Sequence, residues 1–508
     1  MADLPKVLGV VGAGTMGAGI AQLGAMAGMP TILHDPFADA LERGAASIGK
    51  NLDKGAERGR WSAEDAQSAK ERLTTTAEVS GLADCQLVIE AAPERMEIKR
   101  ELFQNLSEVC APETIIGTNT SSIPVTALAS AAARPENVVG MHFFNPAPLM
   151  RLLEVIAADQ TGERALAMAR ATGEAMGKTV IVAADGPGFL VNRCGRPFYT
   201  EALKLLQERV ATHEQIDRIC RMGAGFRMGP FELMDLVGID VGFAVAQSFT
   251  ELSFGEPRWR PNPIQARMVA AGRLGRKSGR GYYDYSGEGG HRPEDPEPPA
   301  IGGGNGKAIH VAGHSSLASL LRERSTQAGY TLVEGRDGDP EPLVIDLTGS
   351  AGDDSPRLVG CTAGSLLTLG GGWSCGFNVV PPLDSAKLVE LTRLPSTPEE
   401  TVKAAEAFFG SLGLICEWVE DAPGLVLGRI VAQLVNEACF AVGEGVGTPD
   451  DVDTGLSLGL NHPHGPMEWA TEIGFDSVLA TIDALWEERH EERYRAAPLL
   501  RRLAAGSA

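Results

Sequence analysis

The chain lacks the usual means of holding a structural metal or a covalent cross-link. Its eight cysteines, at positions 85, 110, 194, 220, 361, 375, 416 and 439, include no C-x-x-C pair and no cluster with histidine. Free thiols in a reducing, cytoplasmic compartment are therefore expected, with no metal site. Positive charge is also scarce. A formal net charge of −21 repels polyanions, so neither nucleic acid nor an anionic membrane is an expected partner, and an acidic ligand needs a local basic site. The charge-free run Val7 to Leu33 behind Lys6 has the length of a membrane span or signal peptide, but Gly9, Gly12, Gly14, Gly17, Gly19, Gly24 and Gly28, with Gln22 and Pro30, break it. Such a run suits a strand, a tight turn and a closely packed helix. What remains is a soluble multidomain composition: 508 residues, 44% hydrophobic, 22% charged and 61 glycines.

Lys6 to Val11 (KVLGVV) reads as a buried strand leading into GAGTMG, Gly12 to Gly17, and then into the helical pattern GIAQLGAMAG. In this arrangement Gly12 makes the turn, Gly14 lets the backbone approach a pyrophosphate, Gly17 lets helix and strand pack, and Thr15 and Met16 open the helix whose N–H groups face the phosphates. A second apolar run, Thr31 to Leu33, ends at His34 and Asp35, eighteen residues after Gly17. A carboxylate there accepts hydrogen bonds from ribose hydroxyls and repels a 2′-phosphate, which favours NAD over NADP. Gln86 to Ile89 and Thr114 to Ile116 continue the alternation of strand and helix expected of a doubly wound α/β sheet.

Polar residues then collect at strand ends. TNTSSIP (Thr118 to Pro124), MHFFNPAP (Met141 to Pro148) and RLLEVI (Arg151 to Ile156) place Asn119, Ser121, His142, Asn145 and Glu154 where open α/β sheets bind ligands. A lone histidine beside Phe143 and Phe144 is as readily a core residue as a catalytic one. A glutamate able to orient it shifts the balance, because alcohol oxidation needs a base near neutrality, and a carboxylate on the second ring nitrogen fixes its tautomer. DGPGFLVNR, Asp185 to Arg193, reads as a Gly-Pro turn opening a helix with Asn192 a turn and a half in, either a buried helix residue or a donor to a substrate oxygen.

Taken together, GAGTMG with Asp35, VIEAAPE (Val88 to Glu94), NTSS (Asn119 to Ser122), HFFNP (His142 to Pro146), LLEV (Leu152 to Val155) and PGFLVNR (Pro187 to Arg193) resemble the L-3-hydroxyacyl-CoA dehydrogenase family. GRKSGRGYYDY, Gly275 to Tyr285, resembles the family sequence closing a helical C-terminal domain. The resemblance implies an NAD-dependent enzyme with His142 as base, Glu154 as its partner, and Ser121 and Asn192 as substrate-binding groups. It implies further that Glu94, Lys99 and Asn119 approach the nicotinamide side. Among the basic residues Lys50, Lys54, Arg58 and Arg60, it implies that Lys54 and Arg58 serve the CoA phosphates, against the alternative of a solvated helix face.

A Pro/Gly-rich acidic stretch, Ser286 to Gly306, separates this half from a second that repeats it. Asp185 to Asp240 aligns without gaps on Asp421 to Asp476, at an offset of 236 residues, pairing Arg193 with Arg429 and Glu201 with Glu437. At that offset His142 becomes Asn378, Asn192 becomes Gly428, and Glu154 becomes Glu390. KAIHVAG, Lys307 to Gly313, starts like the first strand, but HSSLAS lacks the remaining glycines, so no dinucleotide is expected in the copy. The pair His462 and His464 in NHPHGP could suggest a metal, but it aligns with RMGP, Arg227 to Pro230, and a turn is expected.

The expected layout is thus an NAD-binding Rossmann-like domain (1–185), a helical C-terminal domain (186–285), a linker (286–306), a degenerate Rossmann-like domain (307–420) and a second helical domain (421–508). The two helical domains are expected to pack as a pseudo-dimer within one chain, with a homo-oligomer also open. The two-repeat layout is similar to bacterial family members of phenylacetate breakdown, which implies oxidation of an (S)-3-hydroxyacyl-CoA: 3-hydroxyadipyl-CoA, or 3-hydroxybutyryl-CoA in fatty-acid catabolism. For a terminal carboxylate, Arg151, Arg196 and Arg227 are candidate partners. The competing readings are a dehydrogenase of a free hydroxy acid, as in the gulonate branch, and a structural pseudoenzyme.

Overall fold

The computed structural model describes residues 4–287, 290–335, 341–349, 356–383 and 385–506. Residues 288 and 289 of the expected linker, and 336–340, 350–355 and 384 of the degenerate segment, lie outside them. By contact the chain forms two compact units: Met1–Arg193 with Gly445–Leu460, and Cys194–Glu444 with Asn461–Ala508.

The first unit is built on eight strands: β1 (Leu8–Val11), β2 (Thr31–His34), β3 (Leu73–Thr76), β4 (Leu87–Glu90), β5 (Ile115–Thr118), β6 (Val138–Phe143), β7 (Leu152–Ala157) and β8 (Thr179–Ala184). Their order is β3-β2-β1-β4-β5-β6-β7-β8. Neighbours run parallel except β6 and β7, which are antiparallel, so β7 and β8 run against the rest. β1, β4, β5 and β6 are buried along their whole length, as strands covered on both faces must be. The charge-free N-terminal run is β1, the helix Thr15–Met26 and β2. A Cβ on Gly24 would sit 2.4 Å from Leu8, which is why that helix packs so tightly on β1. Among the described residues, no single helix is long and apolar enough to cross a membrane.

One segment of the second repeat belongs to this unit. The helix Pro449–Gly459 packs on β7 and β8, with the Ala184 N–H bonded to the Val446 carbonyl at 2.8 Å. Small residues make the fit: Gly455 faces Val191 and Ile181, and Gly459 faces Leu152 and Phe144.

The second unit carries the repeat sheet: β9 (Ala308–Ala312), β10 (Thr331–Leu332), β11 (Leu343–Asp346), β12 (Leu358–Gly360), β13 (Cys375–Asn378), β14 (Leu388–Arg393) and β15 (Ile415–Trp418). Among the described residues its order, β10-β9-β11-β12-β13-β14-β15, reproduces that of the first sheet from β2 to β8. The single antiparallel pair recurs at β13–β14. The described part of the Pro/Gly-rich stretch is docked rather than loose: Arg221 grips Asp295 through two hydrogen bonds of 3.0 and 2.7 Å, and Glu232 accepts from His291 and Arg292, both at 2.7 Å. Composition alone leaves such a segment flexible. The ion pairs fix it.

Candidate active site

The glycine motif meets three separate steric demands. Gly12 has φ +98°, and a Cβ there would lie 2.6 Å from the Ala91 carbonyl oxygen. A Cβ on Gly17 would lie 1.7 Å from the Gly12 carbonyl oxygen, which no side chain permits. Gly14 has nothing within 4 Å of its Cβ position. Open space there sits against the start of the helix Thr15–Met26, which has no side-chain cap and no acidic residue in its first turn. Unsatisfied N–H groups, a positive helix end and room for the backbone to meet an anion suit a pyrophosphate. Asp35, half-buried at the end of β2, shapes this turn by accepting from the Ala13 N–H (2.9 Å) and the Phe37 N–H (3.0 Å).

In the second repeat the turn glycine survives, Gly313 at φ +109°. Ser315 stands at the Gly14 position and spends its side chain capping the helix Ser316–Gln327 through the Ala318 N–H. Ala318 stands where Gly17 should be. The amide that would face a phosphate is thus already engaged by the protein.

His142 and Glu154 are direct cross-strand neighbours in the antiparallel β6–β7 pair. The register explains their contact: His142 Nδ1 meets Glu154 Oε2 at 2.9 Å, with both side chains buried. Glu154 Oε1 accepts the backbone N–H groups of Leu190 (2.8 Å) and Val191 (3.1 Å). The same carboxylate therefore caps the helix Val191–Glu208, and Asn192 is its second residue rather than a turn and a half in. The helix starts where the carboxylate supplies acceptors. Phe144 and Phe189 flank the imidazole at 4.6 and 5.9 Å between ring centres.

A cavity of about 350 Å³ gathers most of the expected residues: Met16, Glu94, Lys99, Asn119, Ser121, His142, Asn145 and Asn192, with Leu460 from the second repeat as part of its wall. Glu94 organises the loop beneath it, accepting from the Thr120 hydroxyl (2.6 Å), the Ser121 N–H (3.0 Å) and the Ser122 N–H (3.1 Å). Burial opposes its ionisation, but the Lys99 ammonium and these donors outweigh that and hold its carboxyl below the ordinary range. Asn119 accepts from the Phe143 N–H at 2.8 Å, tying the loop to β6. Lys99 is buried and clamped by Glu90 at 2.6 Å.

A neighbouring cavity of about 310 Å³ is lined by Thr15, Lys54, Arg58, Arg60 and Trp61, and by Pro146, Pro148 and Leu149. Lys50, on the same helix Ala38–Glu57, does not line it. The loop between the two cavities is pinned by a residue that sequence reasoning missed. Lys178 donates to the carbonyls of Ala147 (2.6 Å) and Met150 (2.7 Å), and burial pushes its pKa down to about 8. Glu90 was missed as well. It ends β4 fully buried, accepting from Lys99, the Thr118 hydroxyl and the Ala92 N–H. Each is one polar residue in an apolar run, and only the third dimension supplies its partners.

The two histidines of NHPHGP part company. His462 is buried against Phe198 and Phe226, and burial pushes its pKa down to about 3. His464 turns instead toward Glu468 and Glu472.

Known proteins resemble the chain along nearly its whole length. The model of the 3-hydroxyacyl-CoA dehydrogenase NAD binding domain matches residues 7–186, and that of the 3-hydroxyacyl-CoA dehydrogenase C-terminal domain matches residues 188–285 and again 424–507. The chain is 35% identical to the 3-hydroxyadipyl-CoA dehydrogenase of Escherichia coli K12 over 98% of its own length and 97% of the relative's. It is 42% identical to a probable 3-hydroxybutyryl-CoA dehydrogenase of Deinococcus radiodurans, covering 54% of this chain and 99% of that one. The crystal structure of 3-hydroxybutyryl-CoA dehydrogenase from E. coli K12 superposes with a TM-score of 0.85 at 34% identity, covering 99% of this chain and 98% of that one. The chain therefore belongs to the 3-hydroxyacyl-CoA dehydrogenase family, NAD-dependent oxidoreductases, and carries its C-terminal domain twice.

Proposed function

We propose that the first repeat oxidises the secondary alcohol of an (S)-3-hydroxyacyl-CoA, 3-hydroxyadipyl-CoA or 3-hydroxybutyryl-CoA, with His142 as the base. The observation carrying this reading is the His142–Glu154 pair facing a cavity beside the glycine turn. NAD, when bound, supplies the hydride acceptor. With Nδ1 engaged by Glu154, His142 Nε2 takes the hydroxyl proton, and the carboxylate stabilises the imidazolium. Ser121 and Asn192 orient the reacting oxygens, and Asn145 borders the acyl site. Gly12, Gly14, Thr15, Met16, Gly17 and Asp35 hold the dinucleotide, with Glu94, Lys99 and Asn119 on the nicotinamide side. Lys54 and Arg58 receive the CoA phosphates, giving an acidic protein its local basic site. The free, mostly buried cysteines favour a reducing, cytoplasmic setting. NADH formation with a panel of 3-hydroxyacyl-CoAs and with free 3-hydroxy acids tests the reading: activity confined to the CoA esters is expected, and equal turnover of the free acids would overturn it.

The second repeat we read as support, an intra-chain pseudo-dimer of the five segments laid out from sequence. It keeps Glu390 opposite Asn378 but has lost the base. Two features support the reading: Leu460 joins the wall of the catalytic cavity, and Arg429 ties the second helical segment to Glu201 and Glu208 of the first. Residues 1–290 expressed alone are then expected to aggregate or to lose most activity. A soluble, stable and fully active fragment would refute the assignment.

A further inference from the structure

We propose that Lys178 is a positioning residue for the substrate: its ammonium holds the loop that walls both cavities of the first unit, so that CoA seated in the basic cavity brings the reacting carbon into register with His142. The proposal rests on the oxidation reading above and deepens it.

The loop FNPAPLM, residues 144–150, carries no charge. Phe144 and Asn145 line the cavity that holds His142, and Pro146, Pro148 and Leu149 line the cavity that holds Lys54 and Arg58. One short segment of the first unit therefore borders both. Its own hydrogen bonds turn inward, the Leu149 and Met150 N–H groups both donating to the Pro146 carbonyl at 3.0 Å. The carbonyls of Ala147 and Met150 remain, and Lys178 Nζ donates to them at 2.6 and 2.7 Å. Among the described residues no other group donates to either. Lys178 directly precedes β8, where the Thr179 N–H bonds to the Arg151 carbonyl at 2.8 Å, and β8 pairs with β7, the strand of Glu154. The loop is thus fastened to the strand pair that carries the partner of the base. It also packs on the dinucleotide helix, since a Cβ on Gly19 would lie 3.0 Å from Pro148 and 3.2 Å from Ala147.

Filling space does not require an ammonium here. Lys178 is 8% exposed, and burial pulls its pKa down to about 8, as expected of a charge that is costly to bury. In the second repeat the same position is Leu414, 2% exposed, which fills it without charge. The counterpart of the Ala147 carbonyl, that of Leu383, is taken there by Arg324 at 3.0 Å, from the helix Ser316–Gln327. Both repeats tie this loop with a cation, but the repeat that keeps its base draws it from the strand pair of the catalytic carboxylate. The functional consequence is a coupling between the cavities. Contacts to phosphates and adenosine, remote from the reacting carbon, favour the reaction when the wall between the two cavities is fixed. A released loop leaves the competent arrangement to a fraction of the molecules, and apparent affinity falls by that fraction.

The test compares the CoA and pantetheine thioesters of (S)-3-hydroxybutyrate, using the full chain and its Lys178→Met and Lys178→Arg variants. The pantetheine ester carries the same acyl group but no phosphate or adenosine, so it makes no use of Lys54 and Arg58. Wild type is expected to favour the CoA ester in kcat/KM. K178M should shrink that preference about 10- to 100-fold, mainly by raising KM for the CoA ester, with the pantetheine ester and KM for NAD little changed. K178R keeps N–H donors and should recover most of the preference. Both esters are measured on one preparation, so their ratio is independent of the active fraction. Hydrogen exchange gives a second reading: residues 144–151 should exchange faster in K178M while β6 and β7 keep their wild-type rates. A preference left unchanged by K178M, whether both esters lose equally or neither does, would overturn the assignment. So would exchange of the Leu149 and Met150 amides at the free-peptide rate in the wild type, a result that needs no variant. Absence of NADH with every CoA ester would instead bring down the oxidation reading itself.

Discussion

Replacing His142 with alanine is expected to slow NADH formation by about 10²- to 10⁴-fold, with KM for the acyl-CoA nearly unchanged, because the imidazole acts on the proton and not on the CoA. Glu154→Gln should fall almost as far, for a reason specific to this site. The carboxylate receives three N–H donors, two from the backbone at Leu190 and Val191 and one from His142. An amide has one oxygen to offer. The fixed backbone donors claim it, which turns the NH2 group toward His142 Nδ1 and forces the ring proton onto Nε2. That tautomer cannot accept the substrate's proton. Single-turnover kinetics check both variants, with binding of NADH, followed by its fluorescence, confirming a folded site. Wild-type turnover by H142A would remove the base from the mechanism.

Parts of this site were legible in the sequence because their physics is local. Gly12 and Gly17 are dictated by a positive φ and a blocked Cβ within a single turn, so GAGTMG reports them directly. The His142–Glu154 pair was legible only as chemistry, a base in need of a carboxylate. Its geometry comes from the antiparallel β6–β7 register, which no spacing of twelve residues reveals. The start of the helix at Val191 depends on the same carboxylate and was misplaced by a turn. Lys178 and Glu90 carry no motif, and their roles appear only when carbonyls and hydroxyls from distant segments converge on them. Division of the chain was the least legible feature. Gly445–Leu460 joins the first unit because its small residues fit β7 and β8, a packing property that sequence continuity with the second repeat conceals.

Arg429→Met is expected to destabilise the second unit by about 3–5 kcal/mol, read as a lower midpoint in urea unfolding followed by circular dichroism. Arg429 is fully buried. It pairs with Glu201, holds both oxygens of Glu208 at 2.8 and 3.1 Å, and donates to the Tyr494 hydroxyl at 2.7 Å, which passes a hydrogen bond on to Glu201 at 2.9 Å. Burial opposes ionisation of Glu208, yet Arg429, Arg489 and Lys204 bring its pKa down to about 2. Removing the guanidinium therefore takes from two carboxylates the cation they share, and among the described residues buried Glu201 retains Arg493 at 3.2 Å and Tyr494 at 2.9 Å. The loss is mostly the penalty of stranded charge, so a second change that removes the stranded charge should recover part of it. The double variant Glu201→Gln with Arg429→Met is accordingly expected to be more stable than Arg429→Met alone, a coupling that additive contacts would not produce. If the second repeat supports the first, Arg429→Met should also lower the fraction of active enzyme while leaving KM of the surviving molecules unchanged. A change in KM without loss of stability would place Arg429 in substrate binding instead.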